Sequence, residues 1–141
     1  MKITIPGPPV GKGRPRAVMQ SGKIHTYTPA ATAEYERKIR AVWHAARLPG
    51  FGADTPVAVT ITAYHPVPAS AARKTRAAME ANLVLPLRKP DGDNVAKAVL
   101  DALNGLAYAD DKQVVCLTVC KRYGVPRVVV ELLEVTPDDH Q

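Results

Sequence analysis

The stretch from Arg88 to Val115, RKPDGDNVAKAVLDALNGLAYADDKQVV, restricts what this chain can fold into more than any other. It places five aspartates (Asp91, Asp93, Asp101, Asp110 and Asp111) within twenty-one residues of a protein whose net charge is +6. Carboxylates crowded that closely repel one another unless a cation, a proton or a neighbouring ammonium group relieves them. A divalent metal is the first expectation, and the fold must then return the segment on itself around a shared pocket.

Local signals indicate how. Pro90 disfavours the α conformation at Lys89, so Asp91-Gly92-Asp93 enters as an extended or turning segment. Asp93 or Asn94 then caps a helix running to about Asn104, where Gly105 ends it. At about 100° per residue, Asp93, Lys97, Leu100, Asp101 and Asn104 share one arc, while Val95, Val99, Ala102 and Leu103 share the opposite one. One face is core and the other is polar. Lys97, one turn after Asp93, has its ammonium beside the pocket that Asp91 and Asp93 line. After Leu106 to Ala109 come Asp110-Asp111 and an apolar strand from Val114, a return that can bring a third carboxylate against the first two.

Asp91-Gly92-Asp93-Asn94, the lysine four residues after the second aspartate, the Asp101-Ala102-Leu103 helix end and the Asp110-Asp111-Lys112-Gln113-Val114 segment together resemble the RusA family of Holliday junction resolvases. Residue types and spacings agree across about twenty-five positions. The resemblance implies that Asp91, Asp93 and Asp111 are the metal-binding and catalytic carboxylates and that Lys97 is the catalytic lysine. The early GKGRPR and HTYTP segments look like phage-type members of the same family.

Composition sets the frame. The 141 residues, 46% of them hydrophobic, suit one domain with a modest core, read as residues 1–141 with a flexible tail over 136–141. The positive charge is local, since residues 1 to 33 hold five basic residues and no acid. A basic shell around an acidic pocket suits a polyanionic substrate cut with a metal. Cys116 and Cys120 lie on one face of one strand, which makes them poor disulfide partners and reduced thiols. His25, His44, His65 and His140 are too scattered for a zinc site. No signal-peptide core and no bilayer-length apolar run is present, so the expected compartment is the cytoplasm and no membrane partner is expected.

In chain order, Lys2 to Pro6 alternates as a strand with Ile3 and Ile5 on one face. Gly7 to Gly22 reads as a Pro/Gly loop offering Lys12, Arg14 and Arg16 to phosphates, without a Walker A pattern. Thr28-Pro29 caps a helix to Arg47, along which Tyr35, Ile39, Val42 and Ala46 recur, with Trp43 at the edge of the core. Val57 to Tyr64 is a strand whose Val57, Val59, Ile61 and Ala63 share a face. Ser70 caps a short helix over Ala71 to Asn82, whose Arg73, Lys74 and Arg76 offer a second nucleic-acid contact, followed by Arg88 and Lys89. Val114 to Arg122 and Arg127 to Val135 read as a hairpin around Gly124-Val125-Pro126. The order β-α-β-α-α-β-β implies a mixed sheet with packed helices, an α/β or α+β single domain.

Two other enzyme or metal signatures fail. Asp91-Gly92-Asp93-Asn94-Val95 imitates the haloacid-dehalogenase phosphatases, but it follows Arg88-Lys89-Pro90 rather than a buried strand, and too little chain remains for a doubly wound sheet. An EF-hand is excluded by Val95 at a ligand position and by the missing terminal glutamate. A non-catalytic basic DNA-binding module accounts for the charge but leaves five central aspartates unexplained.

The expected function is a Mg²⁺-dependent, structure-selective DNA endonuclease, with Mn²⁺ as the alternative ion; Holliday junction resolution by a homodimer on four-way junction DNA follows from the resemblance. A general flap or branched-DNA nuclease is the enzyme alternative. Asp101 and Asp110 are expected to support the ligands or to orient Lys97.

Overall fold

The computed structural model describes residues 1–137. Its elements are β1 (Lys2–Pro6), β2 (Arg16–Gln20), β3 (Lys23–Tyr27), α1 (Ala30–Ala46), β4 (Val57–His65), α2 (Arg73–Glu80), α3 (Gly92–Leu103), a 3₁₀ turn at Asp111–Gln113, β5 (Val114–Tyr123) and β6 (Arg127–Glu134). Residues 138–141 of the expected tail lie outside the described residues.

Period-two alternation builds the main sheet, in the order β1-β6-β4-β5. Ile3 and Ile5 of β1, Val57, Val59, Ile61 and Ala63 of β4, and Val128, Val130 and Leu132 of β6 are all buried on one face. That face receives α1 through Tyr35, Ile39 and Trp43, and α3 through Val95, Val99, Ala102 and Leu103. The result is a mixed α+β domain: β1 and β4 run antiparallel to β6, whereas β4 and β5 are parallel. Trp43, expected at the rim, is part of the core because it stands one turn beyond Ile39.

Three local expectations change. β5 and β6 do not pair as a hairpin, because β4 lies between them and bonds to both. Residues 124–126 span two strand spacings, on the order of 10 Å, which three extended residues can just reach. Gly124 N–H donates to the His65 carbonyl as the link passes the end of β4. The Gly7–Gly22 loop, secondly, ends in a strand: β2 pairs with β3 through the two-residue turn Ser21-Gly22, both at positive φ (50° and 75°), as in a type I′ hairpin. Thirdly, none of the expected helix caps is used: the positions before α1, α2 and α3 are Pro29, Ala72 and Asp91, without side-chain caps, rather than Thr28, Ser70 and Asp93 or Asn94.

His65, at the end of β4, is buried and its Nε2 has no hydrogen-bond partner. Burial, then the charges of Lys121 and Arg88, lower its pKa. The unfolded chain therefore takes up this proton at higher pH than the folded one, so stability present above the ordinary histidine range (~6.5) is lost as pH falls below it. Thermal midpoints at pH 7.5 and 5.5 should show this acid loss, and His65→Phe should remove most of it. An unchanged pH dependence in the variant would assign the acid sensitivity elsewhere.

Candidate active site

Three elements deliver the acidic segment. α3 begins right after Asp91, and its exposed face carries Asp93, Lys97 and Asp101, with half-buried Leu100 beside them. The helix end is fixed by Tyr108, whose buried hydroxyl donates to the Leu100 carbonyl at 2.8 Å. Gly50 sits at φ +74° against the chain at Leu106 and Ala107; an added Cβ would lie 2.8 Å from the Leu106 carbonyl oxygen. Only glycine allows that approach.

The Asp-Asp-Lys-Gln segment is a small clamp. Asp110 accepts the Lys112 N–H at 2.9 Å, and its own N–H donates to Gln113 Oε1 at 3.0 Å. Gln113 is buried, and its Nε2 donates to the carbonyls of Gly52 (2.7 Å) and Thr55 (3.0 Å). With Asp110 and Gln113 occupied in this way, Asp111 is left to face α3. Gln113→Leu should strand those two carbonyls and cost about 1–3 kcal/mol. It should also loosen Asp111, so cutting should fall by more than the loss of folded protein measured by circular dichroism.

Asp93, Lys97, Asp101 and Asp111 line one cavity of about 930 Å³ between α3 and β5. Asp91 does not line it; it borders an adjacent groove with Lys12, Arg14, Lys89 and Asn94. Burial raises the Asp111 pKa, and Asp110 and Asp101 raise it further, whereas Lys97 lowers it. The Lys112 backbone N–H is the main cause that holds Asp110 low. Like charge is thus felt across the cavity. Among the described residues, no three Asp, Glu, His or Cys side chains converge closely enough to hold a metal by themselves. The donor set still fits a hard divalent cation of the Mg²⁺ type, which binds through one or two carboxylates and takes its remaining oxygens from water and substrate phosphate.

The expected phosphate contacts separate. Lys12 is turned inward: its ammonium lies 2.5 Å from Glu36 Oε1 and 3.2 Å from Asp101 Oδ2, the same oxygen that Lys97 approaches at 3.8 Å. Burial pushes the Lys12 pKa down, but hydrogen bonds and charge from Glu36 and Asp101 outweigh it and leave it raised. Arg14 is exposed beside the groove, and the side chain of Arg16 lies outside the described residues. Arg73 and Lys74 are exposed on α2; Arg76 donates to the Pro68 carbonyl at 3.2 Å and lines a different cavity. Arg88 and Lys89 are exposed, and the Arg88 carbonyl accepts from Lys121 Nζ at 2.6 Å.

Sequence reading missed three charged residues at this site. Glu36 is buried on α1, while Lys121 and Arg122 on β5 line the acidic cavity. The basic pair was visible as the only adjacent Lys-Arg in the last strands, and Glu36 stands at helical spacing from Ile39 and Trp43, on the buried face of α1.

Acidic side chains and an exposed lysine in one cleft, with further cations lining it, fit a class of phosphate-ester-handling enzyme. The chain belongs to the RusA endodeoxyribonuclease family, whose model matches residues 6–133. It is also 40% identical over 139 residues to the uncharacterized protein YqaN of Bacillus subtilis (strain 168), a match covering 96% of this chain and 97% of that one. Among the described residues no helix is long and apolar enough to cross a membrane.

Proposed function

We propose that this protein is a divalent-metal-dependent endonuclease that resolves four-way DNA junctions by paired phosphodiester hydrolysis. The observation that carries the reading is the single cavity lined by Asp93, Asp101, Asp111 and Lys97 in a chain of this family. Asp93 and Asp111 would hold Mg²⁺, or Mn²⁺ in its place, leaving its other oxygens to water and phosphate; Asp91, in the adjacent groove, would join them only once ion and substrate draw the site together. The ion, when bound, polarises the scissile phosphate and lowers the pKa of its water.

The rest of the chemistry belongs to the chain. Lys97, with 64% of its side chain exposed, reaches into the cavity and stabilises charge growing on the phosphate oxygens. Asp101 holds Lys97 on one side and Lys12 on the other, which keeps Lys97 from folding onto Asp111. Lys121 and Arg122 neutralise the incoming backbone from the opposite wall.

Two symmetric cuts need two copies of a one-site chain, so the active form is a C₂ homodimer. The test is cleavage of matched four-way junction, flap and linear duplex DNA in Mg²⁺, with sedimentation at micromolar protein. Paired cuts at symmetric positions by a dimer are expected. Faster cutting of flaps than junctions favours the general branched-DNA nuclease, and a protein that is monomeric with and without junction DNA overturns the resolvase reading.

A further inference from the structure

The ribbon formed by β2 and β3 stands apart from the rest of the molecule. Two strands of five residues, about 17 Å long by their rise, pair with each other, and every residue of β3 is exposed. A lone two-stranded ribbon is marginal in water. Its root is nevertheless fixed beside the catalytic cleft. Lys12 N–H donates to the Asn94 carbonyl at 2.8 Å, Gly13 N–H donates to Thr32 Oγ1 at 2.9 Å, and Gly11 packs so closely on Pro90 that a Cβ would lie 2.9 Å away.

The register divides the ribbon into two chemically different faces. Val18↔His25 and Gln20↔Lys23 are opposite pairs, so Lys23 and His25 share a face with Val18, Gln20 and Tyr27. The other face holds Met19↔Ile24 and Ala17↔Thr26, with Met19 and Ile24 each 70% exposed and no charge between them. No acid occurs anywhere in residues 1 to 33.

A ribbon that offers a lysine and an imidazole, both able to donate hydrogen bonds to phosphate, on one face and only uncharged, largely apolar side chains on the other matches a partner with both a polyanionic and a flat apolar surface. Ordinary duplex DNA hides its base faces in the stack, whereas a branch point exposes them next to phosphates. We infer that the β2–β3 ribbon is a branch-reading finger: Lys23 and His25 lie along the phosphates of one arm while Met19 and Ile24 pack on unstacked bases at the branch. This rests on the nuclease reading only for the identity of the substrate.

The experiment measures binding in metal-free buffer, so that cutting does not enter. Wild-type protein should prefer a four-way junction over linear duplex of the same length and should change the emission of 2-aminopurine placed at the branch. Met19→Thr/Ile24→Thr keeps strand-forming residues but removes the apolar surface; it should lower the junction-to-duplex preference at least ten-fold and abolish the emission change. Lys23→Glu/His25→Glu should weaken both DNAs at least ten-fold. Circular dichroism should show an intact fold in both variants, since the ribbon is not part of the main core. Unchanged junction preference in the threonine variant overturns the proposal. So does a dimer that becomes monomeric without DNA in that variant, because the apolar pair then belongs between copies of the chain. If wild-type protein prefers junctions through this pair yet never cuts them, the nuclease reading fails while the finger stands.

Discussion

Asp93→Asn is expected to slow junction cutting by at least about 10²-fold, because metal activation of water and phosphate is worth several kcal/mol. Asp93 lies on the exposed arc of α3 and lines the cavity with Asp101, Asp111 and Lys97. Asparagine keeps the shape and removes both the charge and a strong ligand. Binding in the absence of metal should hold or tighten, since one source of phosphate repulsion is gone. Asp111→Asn should repeat the pattern, and Lys97→Ala should lose rate together with some affinity. Near wild-type cutting by Asp93→Asn in Mg²⁺ would remove this cavity from the mechanism.

Lys12→Met is expected to lower the thermal midpoint by roughly 10 °C, the effect of about 3 kcal/mol when one partner leaves a largely buried ion pair. The side chains of Lys12 and Glu36 are only 15% and 12% exposed, so removing the ammonium strands the Glu36 carboxylate. It also frees Asp101 to close on Lys97, and the rate should fall further than stability alone accounts for. Adding Glu36→Leu should recover much of the midpoint, because an apolar pair of similar volume tolerates the site, but it should not recover the rate. A Lys12→Met protein that melts within about 2 °C of wild type would return this lysine to the DNA surface.

Asp93 and Lys12 differ in what the sequence makes visible of them. The two faces of α3 were legible because both depend on helical periodicity within twelve residues, and Val95, Val99, Ala102 and Leu103 are buried as that periodicity requires. Strands β1 and β4 were legible for the same local reason at period two. Lys12 read as a loop cation because its partners, Glu36 and Asp101, stand 24 and 89 residues further on, beyond any periodic signal. The β2–β3 ribbon was hidden by the prolines and glycines before it, although Ser21-Gly22 between two five-residue runs carried the two-residue turn signal. The strand order was mistaken because a three-residue link usually joins neighbours; only the demand of β4 for partners on both edges places β6 across it.

The pairing of β1 with β6 has a consequence for the life of the chain. Lys2 stands opposite Glu131, and the amino terminus of Met1 donates to the Leu132 carbonyl at 2.8 Å. The first strand made must wait for the last, and β5, which follows Asp111 directly, docks on β4 by the slow parallel route. A chain still leaving the ribosome holds Asp93 and Asp111 without the frame that brings them together. Until β6 is made, β1 and β4 both lack the strand that pairs with them.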